Sequence, residues 1–193
     1  LLPTVDAAVF DEAHQLVDAG VQFLGTTLAT GQAIDLGRDL LAVGLAHARG
    51  LQPWSELQAG IERAARELRL ACAGDQRDVR GLLKRRWEDR GEATGPALRS
   101  LADAALAAAD ALASVAEAAP DFPRLEQRAR SLAVVAVGFG DEAAADRVRW
   151  IDLTPQQARL VESPLDIREM LTEQRALAPR AWIFTSATLG DDE

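Results

Sequence analysis

Hydrophobic positions recur along this chain with two periods, and the helical one dominates. Over residues 30–49, Ile34, Leu41 and Leu45 share one helical face and Gly50 supplies a stop. Over 54–73, Leu57, Ile61, Leu68 and Cys72 do the same, with a cap near Ser55 and Gly74 as the next residue. A shorter third helix is predicted over 75–90, with Val79, Leu83 and Trp87 as its apolar members and an arginine-rich opposite face. The stretch 91–96 breaks the pattern. A helix over 97–118 then carries Leu98, Leu101, Ala105, Ala108, Leu112 and Val115, and Ala119 continues the same alternating spacing of three and four. Its many alanines permit close approach of a neighbour, and Pro120 ends it. Asp121 caps the next helix, where Phe122, Leu125, Ala129, Leu132, Ala136 and Phe139 repeat the seam. Two matching seams joined by a short turn predict an antiparallel helical hairpin.

The period of two appears in fewer places. Residues 148–153 alternate like a strand, Thr154-Pro155-Gln156-Gln157 turns the chain, and 158–162 return as a second strand, so a small β-hairpin is expected beside the helices. Asp166 is placed to cap a helix running through Gln174, and Pro179 separates that helix from the last apolar run. Near each end stands a short apolar run of strand character: Ala7-Ala8-Val9-Phe10, and Ala181-Trp182-Ile183-Phe184 continuing into Thr185.

Each run delivers a chemically suggestive group of residues. The first leads into Asp11-Glu12-Ala13-His14 and the second into Ser186-Ala187-Thr188-Leu189. Adjacent carboxylates at a strand end suit phosphate transfer, because one must hold Mg²⁺ and the next must orient or deprotonate the attacking water. Asp11 takes the first role and Glu12 the second. Asp-Glu pairs more often simply begin helices, where they complement the positive end of the dipole, and lone Ser or Thr residues more often cap helices or form turns. The ordered pair of motifs outweighs either one.

With Leu2-Pro3 ahead of the first motif and Ser163-Pro164-Leu165-Asp166-Ile167 ahead of the second, the set resembles the DinG and XPD-like branch of the superfamily-two DNA helicases. In that family the DEAH box is motif II and the Ser-Ala-Thr-Leu stretch is motif III. The resemblance implies a mainly α chain: residues 1–24 and 163–193 as α/β remnants of the first RecA-like helicase domain, and 25–162 as a helical arch-type insertion carrying the small hairpin. It implies that the two end strands are parallel neighbours. It assigns Asp11 to water-mediated Mg²⁺ coordination and Glu12 to water activation, with ATP as the nucleotide. His14, Ser186 and Thr188 would relay nucleotide state to the DNA-bound elements. The implied parent is an ATP-dependent DNA helicase of 5′-to-3′ polarity acting in repair or replication on single-stranded DNA, with the arch guiding the strand. The resemblance leaves room for a replication or repair protein as partner and for an iron–sulfur cluster upstream of the DEAH box.

Composition bounds the picture further. The chain is 48% hydrophobic and 26% charged, which describes an ordered protein. Thirty acids against 21 bases give a net charge of −9, opposing any broad attraction to phosphate backbones, so contact with DNA must be local. One cysteine, Cys72, excludes an internal disulfide or a cysteine-only metal cluster and reads as a core residue. His47, near a helix end, reads as an exposed dipole partner. No apolar run approaches the roughly 20 residues that span a bilayer, so no membrane association is expected and a cytoplasmic, nucleoid-associated setting is. No Gly-x-x-x-x-Gly-Lys occurs and the only lysine is Lys84. The chain is accordingly expected to be an excised piece of a larger enzyme, inactive by itself.

Local positive charge is densest over residues 75–90, where Arg77, Arg80, Lys84, Arg85, Arg86 and Arg90 stand against four acids. With Trp87 as a face on which a base could stack, this segment is the candidate nucleic-acid contact; the bland alternative is a solvated surface with Trp87 packed inward. Two other classes remain open. One is a non-catalytic helical module binding a partner protein or nucleic acid. The other, a metal-dependent hydrolase built on Asp11, Glu12 and His14, lacks further ligands at useful spacing.

Overall fold

The computed structural model describes residues 6–15, 25–76, 79–166, 172–173, 176 and 181–186. The chain divides into two compact units, one of residues 1–25, 145–148 and 163–193 and the other of residues 26–144 with 149–162. The expected helix over 166–174 falls largely outside the described residues.

In the smaller unit, strand β1 (Ala7–Phe10) pairs parallel with β6 (Ala181–Phe184), from Ala7↔Ala181 to Phe10↔Phe184. Parallel neighbours need a long crossover, and here the intervening chain includes the whole helical unit. The Phe10 ring stacks on both Trp182 at 5.1 Å and Phe184 at 5.3 Å, which are themselves 6.4 Å apart, so the three rings form one cluster. Among the described residues the sheet has two strands, and Val9, Ile183 and Phe184 are exposed.

The larger unit begins with strand β2 (Thr26–Ala29), which leads directly into helix α1 (Thr30–His47). The buried stripe of α1 is Ala33, Leu36, Leu40 and Gly44, spaced three and four apart. Ile34 and Leu41 sit on its flank and Leu45 is exposed, so the expected face is rotated from the observed one. Gly44 marks a close approach of α1 to α2 (Trp54–Ala73): a Cβ there would lie 2.3 Å from the Trp54 ring. Trp54 in turn donates its indole N–H to the Ala48 carbonyl at 2.8 Å and stacks on Phe122. The residue preceding α2 is Pro53, and Ser55 does not cap it.

Helices α3 (Thr94–Ala113) and α4 (Asp121–Gly140) form the expected hairpin. Ala105, Ala108 and Ala109 of α3 and Ala129, Ala133 and Ala136 of α4 are buried, and their small side chains let the backbones approach. Helix α3 begins three residues earlier than expected because Pro96 sits in its first turn, where its missing N–H is unneeded. Asp121 likewise lies inside the first turn of α4, and Pro120 occupies the cap position.

Two expectations are corrected by the structure. The segment 75–90 is not a helix: a loop leads to strand β3 (Leu83–Arg86). Gly74 and Gly81 have φ of 55° and 85°, outside helical space, and β3 pairs antiparallel with β4 (Arg147–Leu153) from Leu83↔Leu153 to Arg86↔Trp150. Val79, Leu83 and Trp87 are spaced by four, which satisfies a period of two as well as a helical turn. The second correction concerns the hairpin of β4 and β5 (Ala158–Pro164). It is the centre of a four-stranded sheet ordered β2-β5-β4-β3, with β2 antiparallel to β5. Leu28, Ile151, Leu153, Ala158 and Leu160 supply its buried side.

Arg149 also points to the buried side of that sheet. Its Nε donates to Glu162 at 2.6 Å, and its two terminal nitrogens donate to the carbonyls of Asp141 at 2.6 Å and Gly138 at 3.0 Å. The guanidinium lies against the rings of Trp87 and Phe139. One side chain thereby closes the C-terminus of α4, where the last carbonyls of a helix have no partner within it.

Candidate active site

The parallel register carries the two motifs to the same place. Phe10 pairs with Phe184, so Asp11 and Thr185 come next as neighbours at the strand ends. The Thr185 N–H donates to the Phe10 carbonyl at 2.9 Å, and the Thr185 carbonyl accepts from the Ala13 N–H at 2.8 Å. Held on both sides of its peptide units, Thr185 donates its hydroxyl to Asp11 Oδ1 at 2.8 Å. The same oxygen accepts the Glu12 N–H at 2.9 Å.

Glu12 itself has φ of 51°, the one non-glycine residue in left-handed space among the described residues. Such a conformation costs roughly 1–2 kcal/mol for an L-residue and persists where surrounding bonds over-determine it. Those bonds are present: besides the Asp11 and Ala13 contacts, the Gln15 N–H donates to the Glu12 carbonyl at 2.8 Å. His14 Nδ1 lies 2.9 Å from Ser186 Oγ and 3.1 Å from Glu12 Oε2, with both acid and imidazole about half exposed. Which partner donates depends on the histidine tautomer. Of the residues singled out in the sequence, Asp11, Glu12, His14 and Ser186 therefore meet in one cluster. Thr188 lies outside the described residues. Thr185 is a site residue that the sequence reading did not single out, because only the non-local register of β1 with β6 brings it beside Asp11.

The candidate Mg²⁺ ligand can be judged from the same geometry. Among the described residues no group of three or more His, Cys, Asp or Glu side chains is arranged to hold a metal ion. A single exposed carboxylate suits Mg²⁺, which keeps several waters and is held by one or two carboxylates together with substrate phosphates. It does not suit a closed zinc-type site.

The candidate nucleic-acid residues divide. Trp87 is 8% exposed, with Phe139 and the guanidiniums of Arg90 and Arg149 around its ring, so it offers no stacking face. Arg85 donates to the carbonyls of Ala73 at 2.8 Å and Cys72 at 3.2 Å, closing the C-terminus of α2. Lys84 and Arg86 project from the edge strand β3 and are exposed, Lys84 with its ammonium 5.0 Å from the centre of the Trp150 ring. Arg80 is exposed in the preceding loop, and Arg77 lies outside the described residues. Cys72 is fully buried in the core, where burial pushes its thiol up to about 12.

A strand, an acidic turn and a hydroxyl-bearing parallel neighbour, separated in sequence by a helical unit, match what the resemblance to the DinG-type helicases leads one to expect. Comparison with known proteins bears out that resemblance along essentially the whole chain. The chain is 27% identical over 198 residues to the ATP-dependent DNA helicase YoaA of Escherichia coli (strain K12) and 25% identical over 189 residues to the ATP-dependent DNA helicase YoaA of Haemophilus influenzae. Each match covers 98% of this chain and 29% of the relative. The chain thus spans under a third of the length of the curated relatives it matches. No protein-family model matches it.

Proposed function

We propose that this chain is the part of an ATP-dependent DNA helicase that runs from the DEAH box to motif III, with residues 25–162 as the arch between them. The observation that carries the reading is the junction of β1 with β6, which sets the Asp11-Glu12 turn against Thr185 and Ser186. Asp11 would hold Mg²⁺ through water, and Glu12 would take the proton of the attacking water. Bound there with ATP, the cation would supply positive charge against the phosphates. His14 and Ser186, in contact across the two motifs, connect the hydrolytic carboxylate to the second motif and through it to elements that hold DNA. The arch guides single-stranded DNA, with Lys84 and Arg86 as its candidate phosphate contacts.

The relatives are named as ATP-dependent DNA helicases, which supports the reaction class, and the resemblance supplies the polarity. Strand separation tests the reading directly. The full-length protein carrying this chain should unwind, in the presence of ATP, a duplex with a 5′ single-stranded tail and leave one with only a 3′ tail intact. Failure to unwind either substrate under conditions where ATP is hydrolysed would refute the helicase assignment; unwinding of the 3′-tailed substrate would refute the polarity. The isolated chain should not hydrolyse ATP, because it contains no phosphate-cradling loop with its lysine.

A further inference from the structure

We infer that Thr185 is a positioning residue for the metal-facing carboxylate: its hydroxyl fixes the orientation of Asp11. The inference rests on the proposed role of Asp11 in holding Mg²⁺ and adds a residue to it. Three observations support it. The Thr185 backbone is tied on both sides, through its N–H to Phe10 and its carbonyl to Ala13, so its Cα cannot drift from Asp11. Threonine is β-branched and has few χ1 states, so a fixed backbone leaves its hydroxyl few places to point. That hydroxyl reaches Asp11 Oδ1 at 2.8 Å, and the Glu12 N–H reaches the same oxygen at 2.9 Å.

Two donors on one oxygen hold the carboxylate in a single rotation about its last torsion, which is otherwise broad. The Glu12 donor belongs to the same turn as Asp11 and so does not tie the carboxylate to any other element. The hydroxyl is the donor supplied from the neighbouring strand. Without it, Asp11 would lose the contact that ties its side chain to β6, and its oxygens would be free to sample orientations unsuited to the hydrated cation. Residues that orient metal-binding groups typically change metal affinity by about 10–100-fold when removed.

The test is equilibrium binding of Mn²⁺ to the full-length protein with a non-hydrolysable ATP analogue present, followed by electron paramagnetic resonance. Thr185→Val keeps the branched shape and deletes the hydroxyl; it should weaken Mn²⁺ binding about tenfold, while Thr185→Ser should bind close to wild type. Thermal melts establish that each variant is folded, and Thr185→Ala is a second hydroxyl-free variant judged by the same measure. Asp11→Asn separates the role of the carboxylate from that of the hydroxyl. If Asp11→Asn binds Mn²⁺ as wild type does, the assignment of Asp11 falls and the inference with it. If Asp11→Asn weakens binding but folded Thr185→Val or Thr185→Ala does not, only the Thr185 inference is overturned. If neither hydroxyl-free variant folds, Thr185 serves the fold rather than the carboxylate, which also overturns it.

Discussion

Replacing Arg149 with methionine should be among the most destabilising single changes in the helical unit. Methionine roughly keeps the length and apolar stem of arginine, so the change isolates the guanidinium. The Arg149 side chain is 5% exposed and that of its partner Glu162 is 16% exposed, so removing one leaves the other charge largely buried. Breaking a buried pair in this way costs about 3–5 kcal/mol. The carbonyls of Gly138 and Asp141 also lose a charged donor, which keeps the expected value in the upper half of that range. At about 2–4 °C per kcal/mol for a chain of this size, the melting temperature should fall by roughly 10 °C or more. Far-UV circular dichroism of the 193-residue chain reads this out, since the four long helices described all lie in that unit. Arg149→Met combined with Glu162→Leu should be less destabilised than Arg149→Met alone, because the largely buried carboxylate that has lost the Arg149 guanidinium is gone as well. Arg149→Lys should rescue little, since an ammonium cannot span the three directions of the fork. An Arg149→Met melt within about 2 °C of wild type would mean that the guanidinium contributes no more than about 1 kcal/mol and does not hold the end of α4.

Gly44→Ala should lower stability by about 1–3 kcal/mol in the same melt, since its Cβ would meet the Trp54 ring at 2.3 Å and that ring is held by Ala48 and Phe122. The Cys72 thiol should resist alkylation in the native protein at pH 8 and react on unfolding. Burial raises it from 9.0 to about 12, so the native state favours the neutral form, and that contribution, intact below pH 9, should disappear as pH rises toward 12. Arg85→Ala should destabilise the fold by opening the C-terminus of α2. Lys84→Ala with Arg86→Ala should leave the melt unchanged but make the salt dependence of single-stranded DNA binding by the full-length protein shallower by roughly 0.7 per lost contact.

The helical seams were legible because burial of Leu98, Leu101, Ala105, Ala108 and Leu112 requires only that α3 be a helix against something, and the pattern states that directly. The joined end strands were legible only through the resemblance, since no local pattern tells four apolar residues which distant partner they pair with. The segment 75–90 misled because spacing by four fits both periods. What decided it was non-local pairing with β4 and positive φ at Gly74 and Gly81. Strand β2 escaped notice because Thr26-Thr27-Leu28-Ala29 is short and runs straight into α1. In the candidate site, residue types pointed to Asp11 and Glu12, but the Thr185 contact and the left-handed Glu12 depend on a register set by the other end of the chain.

On the proposed function, ATP is hydrolysed at the Asp11-Glu12 turn, closed by β6. The direct measurement is ATP turnover and ATP affinity of the full-length protein with Glu12→Gln, which keeps the size of the side chain and removes its ability to take a proton. Turnover should fall about 10²–10⁴-fold with ATP still bound and the fold intact. Turnover equal to wild type in this variant would contradict that assignment.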